Sequence, residues 1–342
     1  MAPFGAGAER VTGCMANALA IVKTEFAMPA LLAAASPKAR KRVLEFFGTS
    51  IRNENTRKAY MAACVAFFDF LADNDVNALE HIGPLHGAAY LEAMKGAERS
   101  VSTQKQHMAA VRMLFDYLVT GGILAQNPIL SLRAPRRSVT KGKTPTLSAE
   151  DAGELLRSIE TNNLAGLRDR ALLGLMVFTF ARVSAALGVN VGDLFRQKNR
   201  LWVRLHEKGG KVHDMPTHHT LEEYLSDYLD AAALPNRPLT PLFQSFKRRP
   251  YGRGTPELSG KRLSRIETWR MVQRRAEAAG LDTHICNHTW RGTGITTYLE
   301  NGGTLENAKV MAAHASVRTT QLYDRCRDDV TLDEVVKINI RG

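Results

Sequence analysis

The chain is short of cysteine. It has four in 342 residues, Cys14, Cys64, Cys286 and Cys326, and no Cys-x-x-Cys pair. That spacing excludes a cysteine-rich zinc site and a disulfide scaffold. Long apolar runs are also missing: the most apolar stretch lies between Arg170 and Arg182, well short of the about 20 residues that span a bilayer. Near the start, Arg10 precedes a short apolar run broken by Lys23 and Glu25, which lacks the charge–apolar–cleavage order of a secretory signal. There is no Gly-x-x-x-x-Gly-Lys-Ser/Thr loop, no acidic metal cluster, no internal repeat and no low-complexity run. Acidic side chains are in deficit, 34 against 46 Lys and Arg, for a net charge of +12. Apolar residues make up 44%, enough for packed cores and against a disordered chain. The length suits two or three domains, and the charge suits a polyanionic partner, most often nucleic acid. The expectation is a cytoplasmic, reducing-compartment protein that faces nucleic acid and no membrane.

Residues 1–146 carry 18 basic and 11 acidic side chains, and the remainder 28 and 23. Both halves are basic, as two lobes around one duplex would be. Between them, Ser131–Ala149 holds Arg133, Arg136, Arg137, Lys141 and Lys143 without an acid, and Pro135 and Pro145 discourage regular structure. This is a solvated linker or one that tracks phosphates; the second is favoured because like charges repel without a counter-anion. Residues 1–45 are Ala-rich and helical in character, broken by Pro29 and Pro37, and too few for a sturdy domain. From Asn55 the spacing of Cys64, Phe67, Phe68 and Leu71 predicts a helix. That of Met108, Val111, Phe115 and Leu118 predicts another, starting near Ser102 and ended by Gly121-Gly122. Residues 46–133 thus read as a small all-α domain and 134–146 as a basic linker.

The second domain, 147–330, opens on Ser148-Ala-Glu-Asp151, a capping box with Asp in the Glu place, followed by Leu155, Leu156 and Ile159 on one face. Ala171–Ala181 reads as a buried helix. Leu201–Leu205 and His213–Met215 flank Gly209-Gly210, which predicts a β-hairpin. Thr220 caps a further helix, and others follow near 266–279, 292–301, 304–313 and 317–325. The fold class is mainly α with one small β-sheet in the second domain.

Several polar residues stand in places that invite chemistry. Arg182 ends the buried helix, where a lone guanidinium is costly. Lys208 sits beside the hairpin turn, and His288 and Arg291 share one face of a helix start at i and i+3. His314 closes a capped helix in Ala-Ala-His-Ala-Ser, and Tyr323 follows nine residues later. Taken singly, each has a plain alternative: an ion pair, a solvated lysine, a helix-end histidine, an interfacial tyrosine. Order and spacing together argue otherwise.

The run Arg182, Lys208, His288-Thr-Trp-Arg291, His314, Tyr323 resembles the tyrosine recombinases of the lambda-integrase family. Glu-Lys-Gly-Gly-Lys, Gly-Ile-Thr-Thr-Tyr-Leu and Thr-Thr-Gln-Leu-Tyr match in kind, as do Asn55-Thr-Arg-Lys-Ala-Tyr60 and Asn127-Pro128 of the SAM-like core-binding domain. The resemblance covers about residues 46–330. It implies a two-domain DNA clamp that cleaves and rejoins double-stranded DNA through a 3′-phosphotyrosyl link, with no ATP and no metal or other cofactor. Arg182 and Arg291 would clamp the non-bridging oxygens with forked donors. Tyr323 would be the nucleophile, His288 its base, His314 a donor to phosphate and Lys208 the general acid. Candidate DNA contacts are Arg57, Lys58, Lys105, Arg133, Arg136, Arg137, Lys141, Lys143, Lys247, Arg248 and Arg249. The resemblance also implies a monomer or weak dimer when free and a homotetramer on paired sites. Residues 331–342, with Leu332, Val335, Val336 and Ile340 close to one face, would dock into a neighbouring subunit or pack on their own. An accessory factor, a mobile-element role and a nucleoid location are compatible with it.

Two departures stand out. Many members carry an acid three residues after the first arginine, where this chain has Ala185, so support for the site must come from elsewhere. Many have His after the second arginine, where this chain has Gly292. The rival readings are a type IB topoisomerase, which shares the residue logic, and a non-catalytic DNA-binding protein on the same fold.

Overall fold

A computed structural model describes residues 26–135, 142, 144–207, 209–234, 237–247, 257–281 and 284–324. The chain divides into two compact units, Met1–Ser138 and Val139–Gly342. Among the described residues no helix is long and apolar enough to cross a membrane.

The first unit is all helix: α1 (Ala30–Ala34), α2 (Pro37–Glu45), a π-turn (Phe46–Ser50), α3 (Glu54–Ala72), α4 (Pro84–Gly96) and α5 (Val101–Thr120). Side chains set the starts. Ser36, Asn53 and Ser100 accept from the backbone N–H three residues on, satisfying donors the helix cannot. Gly122, at φ +63°, takes the left-handed turn just past α5. The predicted stripes of α3 and α5 are buried, and the Phe67 ring lies 5.2 Å from Tyr90, 5.6 Å from Phe68 and 6.1 Å from Phe115. Phe26, Leu31, Leu32, Ala39 and Val43 lie in this same core, so residues 26–45 pack with the helices that follow them.

In the second unit α6 (Ala149–Ser158) begins at Ser148, whose hydroxyl accepts from Asp151 N–H at 3.0 Å. Helix α7 (Leu164–Phe178) supplies Leu172, Leu173, Leu175 and Met176 to the core. It starts earlier than its apolar run and stops before Ala181, because Phe180 turns left-handed at φ +54°. The short α8 (Val183–Gly188) follows. Strands β1 (Leu194–Gln197), β2 (Arg200–His206) and β3 (Val212–Pro216) form an antiparallel sheet in that order. The turn between β2 and β3 uses Gly209 and Gly210 at φ +83° and +76°, a conformation glycine adopts without strain. Helix α9 (His219–Ala232) is capped by His218, not by Thr220: the His218 ring stacks on Phe178 at 4.5 Å and its Nδ1 accepts from Thr220 N–H. That stacking fixes the helix entry two residues early. A second small sheet, β4 (Gln244–Phe246) with β5 (Leu258–Arg262), adds to the one expected. Then come α10 (Arg265–Ala278), α11 (Asn287–Glu300), α12 (Leu305–Met311) and α13 (Val317–Gln321).

The core of this unit joins α7 to Leu221, Leu225 and Tyr228 of α9 and to Trp290 of α11. Buried Asp169 accepts from Arg168 and Arg275, while Arg168 also donates to the Gln244 carbonyl. A buried carboxylate is tolerated because it is paired on both oxygens.

Phe67→Ala opens a cavity in the first core and is expected to cost about 3–5 kcal/mol. Hydrogen exchange should speed up across α3–α5 and stay unchanged in α7; equal loss in both units would contradict two separate cores.

Candidate active site

Arg182 sits at the N-terminus of α8, just past the left-handed Phe180. Its Nη1 donates to Glu207 Oε2 at 2.5 Å, and the Glu207 side chain is only 3% exposed. Ala185, one turn into α8, is buried and uncharged. The acid that holds this arginine therefore comes from the end of β2. The sequence reading missed it, although the strand carried the sign. With a period of two, Glu207 shares a face with buried Val203 and Leu205, and a carboxylate on that face needs a cation.

Arg291 lies in the first turns of α11 and is 1% exposed. Its Nη1 donates to the Phe180 carbonyl and its Nη2 to the Ala312 carbonyl at 2.6 Å. Each carbonyl borders a left-handed residue, Phe180 itself and Ala313 at φ +46°. Nε of Arg291 is buried without a hydrogen-bond partner among the described residues.

Tyr323 follows α13 in a turn, its N–H bonded to the Thr320 carbonyl and its own carbonyl accepting from Thr296 Oγ1 at 3.1 Å. The side chain is buried in a small cluster with Phe180, Ile295, Leu299, Ala308 and Ala312. Its hydroxyl lies 2.8 Å from His288 Nε2. The His314 ring stacks on it, with centroids 6.1 Å apart and planes 10° from parallel. His314 Nδ1 is 2.9 Å from Thr320 Oγ1; with that hydroxyl donating, the ring proton sits on Nε2. A Cβ at Gly292 would lie 3.4 Å from the Tyr323 ring, an ordinary contact, and 2.9 Å from Thr146 Cγ2, a methyl that would have to shift for a histidine to stand here.

The surroundings disfavour charge. Burial, then the nearby Arg291 and Arg182, lower the pKa of His288 below its ordinary value. The same causes, with His288 added, push His314 down to about 3. Burial raises Tyr323, against the pull of Arg291 and Arg182 in the other direction. Burial and Arg182 bring Arg291 down to about 10, which leaves it protonated at neutral pH. The free site thus holds two arginine cations, two neutral imidazoles and a protonated phenol.

Five of the six expected residues, Arg182, His288, Arg291, His314 and Tyr323, belong to this one cluster. Lys208 lies outside the described residues, as do Arg136, Arg137, Lys141, Lys143, Arg248 and Arg249 and the segment 331–342. Arg57 and Lys58 lie on α3, where Lys58 pairs with Glu54 at 2.7 Å, and Lys105 lies half-buried on α5. Arg133 is exposed in the segment after α5, and Lys247 pairs with Glu257 at 2.8 Å beside β4. Among the described residues no group of three His, Cys, Asp or Glu is placed to hold a metal ion.

Comparison with known proteins agrees over most of the chain. Residues 145–329 match the phage integrase family, and residues 49–122 match the phage integrase N-terminal SAM-like domain. The chain is 27% identical over 276 residues to the tyrosine recombinase XerD of Oceanobacillus iheyensis, covering 79% of this chain and 87% of that one. It is 28% identical over 275 residues to XerD of Listeria monocytogenes, with the same two coverages. Among solved structures, the fold resembles the XerH site-specific recombinase bound to palindromic difH substrate in a post-cleavage complex. That match has a TM-score of 0.67 and 19% identity, over 95% of this chain and 94% of the other. It also resembles a lambda integrase dimer bound to a COC′ core site, with a TM-score of 0.64 and 16% identity, over 86% and 79%. With the matched family spanning more than half its length and the tyrosine, two arginines and two histidines gathered in one site, this chain belongs to the phage integrase family, the tyrosine recombinases.

Proposed function

We propose that this protein breaks and rejoins double-stranded DNA at specific sites through a 3′-phosphotyrosyl intermediate. The observation that carries the reading is the 2.8 Å contact between His288 Nε2 and the Tyr323 hydroxyl, beside two arginines. The phenol oxygen attacks the scissile phosphorus while its proton passes to neutral His288. The bond to the 5′ oxygen breaks, and Lys208 protonates that leaving group. Arg182, Arg291 and Nε2 of His314 donate to the non-bridging oxygens, where charge develops. The phosphotyrosyl bond keeps the energy of the diester, so a 5′ hydroxyl reverses the same steps to rejoin a strand. The family assignment favours a recombinase over a type IB topoisomerase, and the assembled nucleophile–base pair weighs against a non-catalytic DNA binder.

Recombination needs two sites held together, so the active species in this reading is a tetramer of this chain on paired sites. Phosphate contacts come from both units, among them Arg57, Lys58, Lys105, Arg133 and Lys247. An apolar cavity of about 590 Å³ in the catalytic unit, with Leu156, Val177, Phe178, Tyr298 and Met311 in its lining, suits the apolar residues Leu332, Val335, Val336 and Ile340 of a neighbouring copy. Truncation after Asp329 should leave single-site binding intact and abolish cooperative loading of a two-site DNA in gel-shift titration. Undiminished cooperativity would favour a tail that packs on its own subunit.

The nucleophile is tested on a nicked suicide substrate: Tyr323→Phe should bind with unchanged affinity and form no denaturant-resistant adduct. Persistent adduct would remove Tyr323 from the role.

The direction of the His288 shift gives a pH test. The base acts when neutral, which is above its pKa, and that pKa lies below the ordinary 6.5. The second-order rate of adduct formation, which reports the free enzyme, should show an acid limb centred below the ordinary 6.5. An acid limb centred above 6.5 would count against His288 as the base.

A further inference from the structure

We infer that Glu207 is a positioning residue for strand cleavage, holding the Arg182 guanidinium in the orientation that meets the scissile phosphate. The inference rests on the recombinase reading above. Four observations carry it. The carboxylate is almost wholly buried and its Oε2 lies 2.5 Å from Arg182 Nη1. The Glu207 backbone is itself fixed, its N–H donating to the Lys211 carbonyl at 2.7 Å across the Gly209-Gly210 turn. Strand alternation directs the side chain inward with Val203 and Leu205. Ala185, on the first turn of the helix that Arg182 opens, offers no charge to replace it.

The physical case is one of like charges. Arg182 and Arg291 each lower the pKa of the same neighbours, and Arg182 lowers that of Arg291 itself. Left alone, the more exposed guanidinium, that of Arg182, gains by swinging out to water. Glu207 opposes this. Its negative charge attracts Arg182 directly and favours the charged form of Arg291 too. Because it takes only one edge of a five-donor fork, the other edge stays available for a phosphate oxygen. The next residue in the chain is Lys208, so pinning Glu207 also fixes the point from which the proposed general acid departs.

The test uses the full-length protein and a nicked suicide substrate, with wild type, Glu207→Gln, Glu207→Asp, Arg182→Ala and the double variant Glu207→Gln/Arg182→Ala. Glutamine keeps the size and removes the charge. Glu207→Gln should slow adduct formation at saturating DNA by about a hundredfold, the order expected when a clamp is misplaced, with DNA affinity nearly unchanged. Glu207→Asp should recover part of the rate. The double variant should be no slower than Arg182→Ala, because Glu207 acts through Arg182. Wild-type rates in Glu207→Gln, or additive losses in the double variant, would overturn the proposal. A readout independent of activity separates this from failure of the recombinase reading. The Nη1–H signals of Arg182, from the donor that meets Glu207 and assigned by their loss in Arg182→Lys, should be protected from solvent exchange in wild type and not in Glu207→Gln. If that protection survives, the pairing is not what orders Arg182. If wild type forms no adduct yet protection is lost in Glu207→Gln, the positioning stands and the recombinase reading fails.

Discussion

Everything near Tyr323 depends on keeping two guanidiniums close together in a place that has little water. An unpaired cation in such a place costs several kcal/mol or more, and two repel. The protein answers with different partners for each. Arg291, 1% exposed, is held by neutral carbonyl dipoles from Phe180 and Ala312, which orient it without cancelling its charge. Arg182, a third exposed, is held by a full carboxylate. The buried arginine keeps its charge uncancelled, and the more exposed one is tethered by a carboxylate. Both arrangements draw on segments distant in sequence, which ties the ends of α7, β2 and α12 to one point.

Burial, with that field second to it, sets the protonation of the rest. Burial raises the phenol and lowers both imidazoles, so in the free protein the proton stays on Tyr323 and transfer to His288 is uphill. In the reaction proposed above, a phosphodiester entering between the arginines changes the balance. Its negative charge favours a protonated imidazole, and the charge that develops during attack is met by donors already in place. On the proposed reading the nucleophile is quiet without DNA and competent with it.

Much of this was legible in the sequence. The stripes of α3 and α5 follow from apolar spacing, the start of α6 from Ser148, and the hairpin from Gly209-Gly210. The cluster itself followed from the order of Arg182, His288, Arg291, His314 and Tyr323, which no single position would have revealed. What escaped did so for tertiary reasons. Helix α4 has apolar and small residues spread around it, and its Gly87 is packed against Ile129 and Leu132, so no stripe marks it. Strand β1 is four residues long and exists through its partner β2. The start of α9 depends on His218 stacking against Phe178, a contact between separate helices. Glu207 was not legible because the family pattern names a position for the acid, that of Ala185, whereas the electrostatic requirement names only a charge near Arg182. A strand end meets it as well as a helix turn.

Phe180 shows how far the site bends local preference. A bulky residue at φ +54° is a steric outlier, and such strain persists only where the surroundings over-determine it. Here they do. The Phe180 ring packs with Ile295 and Leu299 and meets Tyr298 edge-on at 5.9 Å, in the same cluster that seats Tyr323. Gly294 leaves room for it, since a Cβ there would come within 2.9 Å of the ring. The buried ring and the left-handed turn go together. That turn ends α7 three residues before its apolar run ends, delivers the carbonyl that binds Arg291, and brings the chain round so that Arg182 opens α8. A strained residue with no chemical role of its own places both arginines, and nothing in the identity of a phenylalanine announces it.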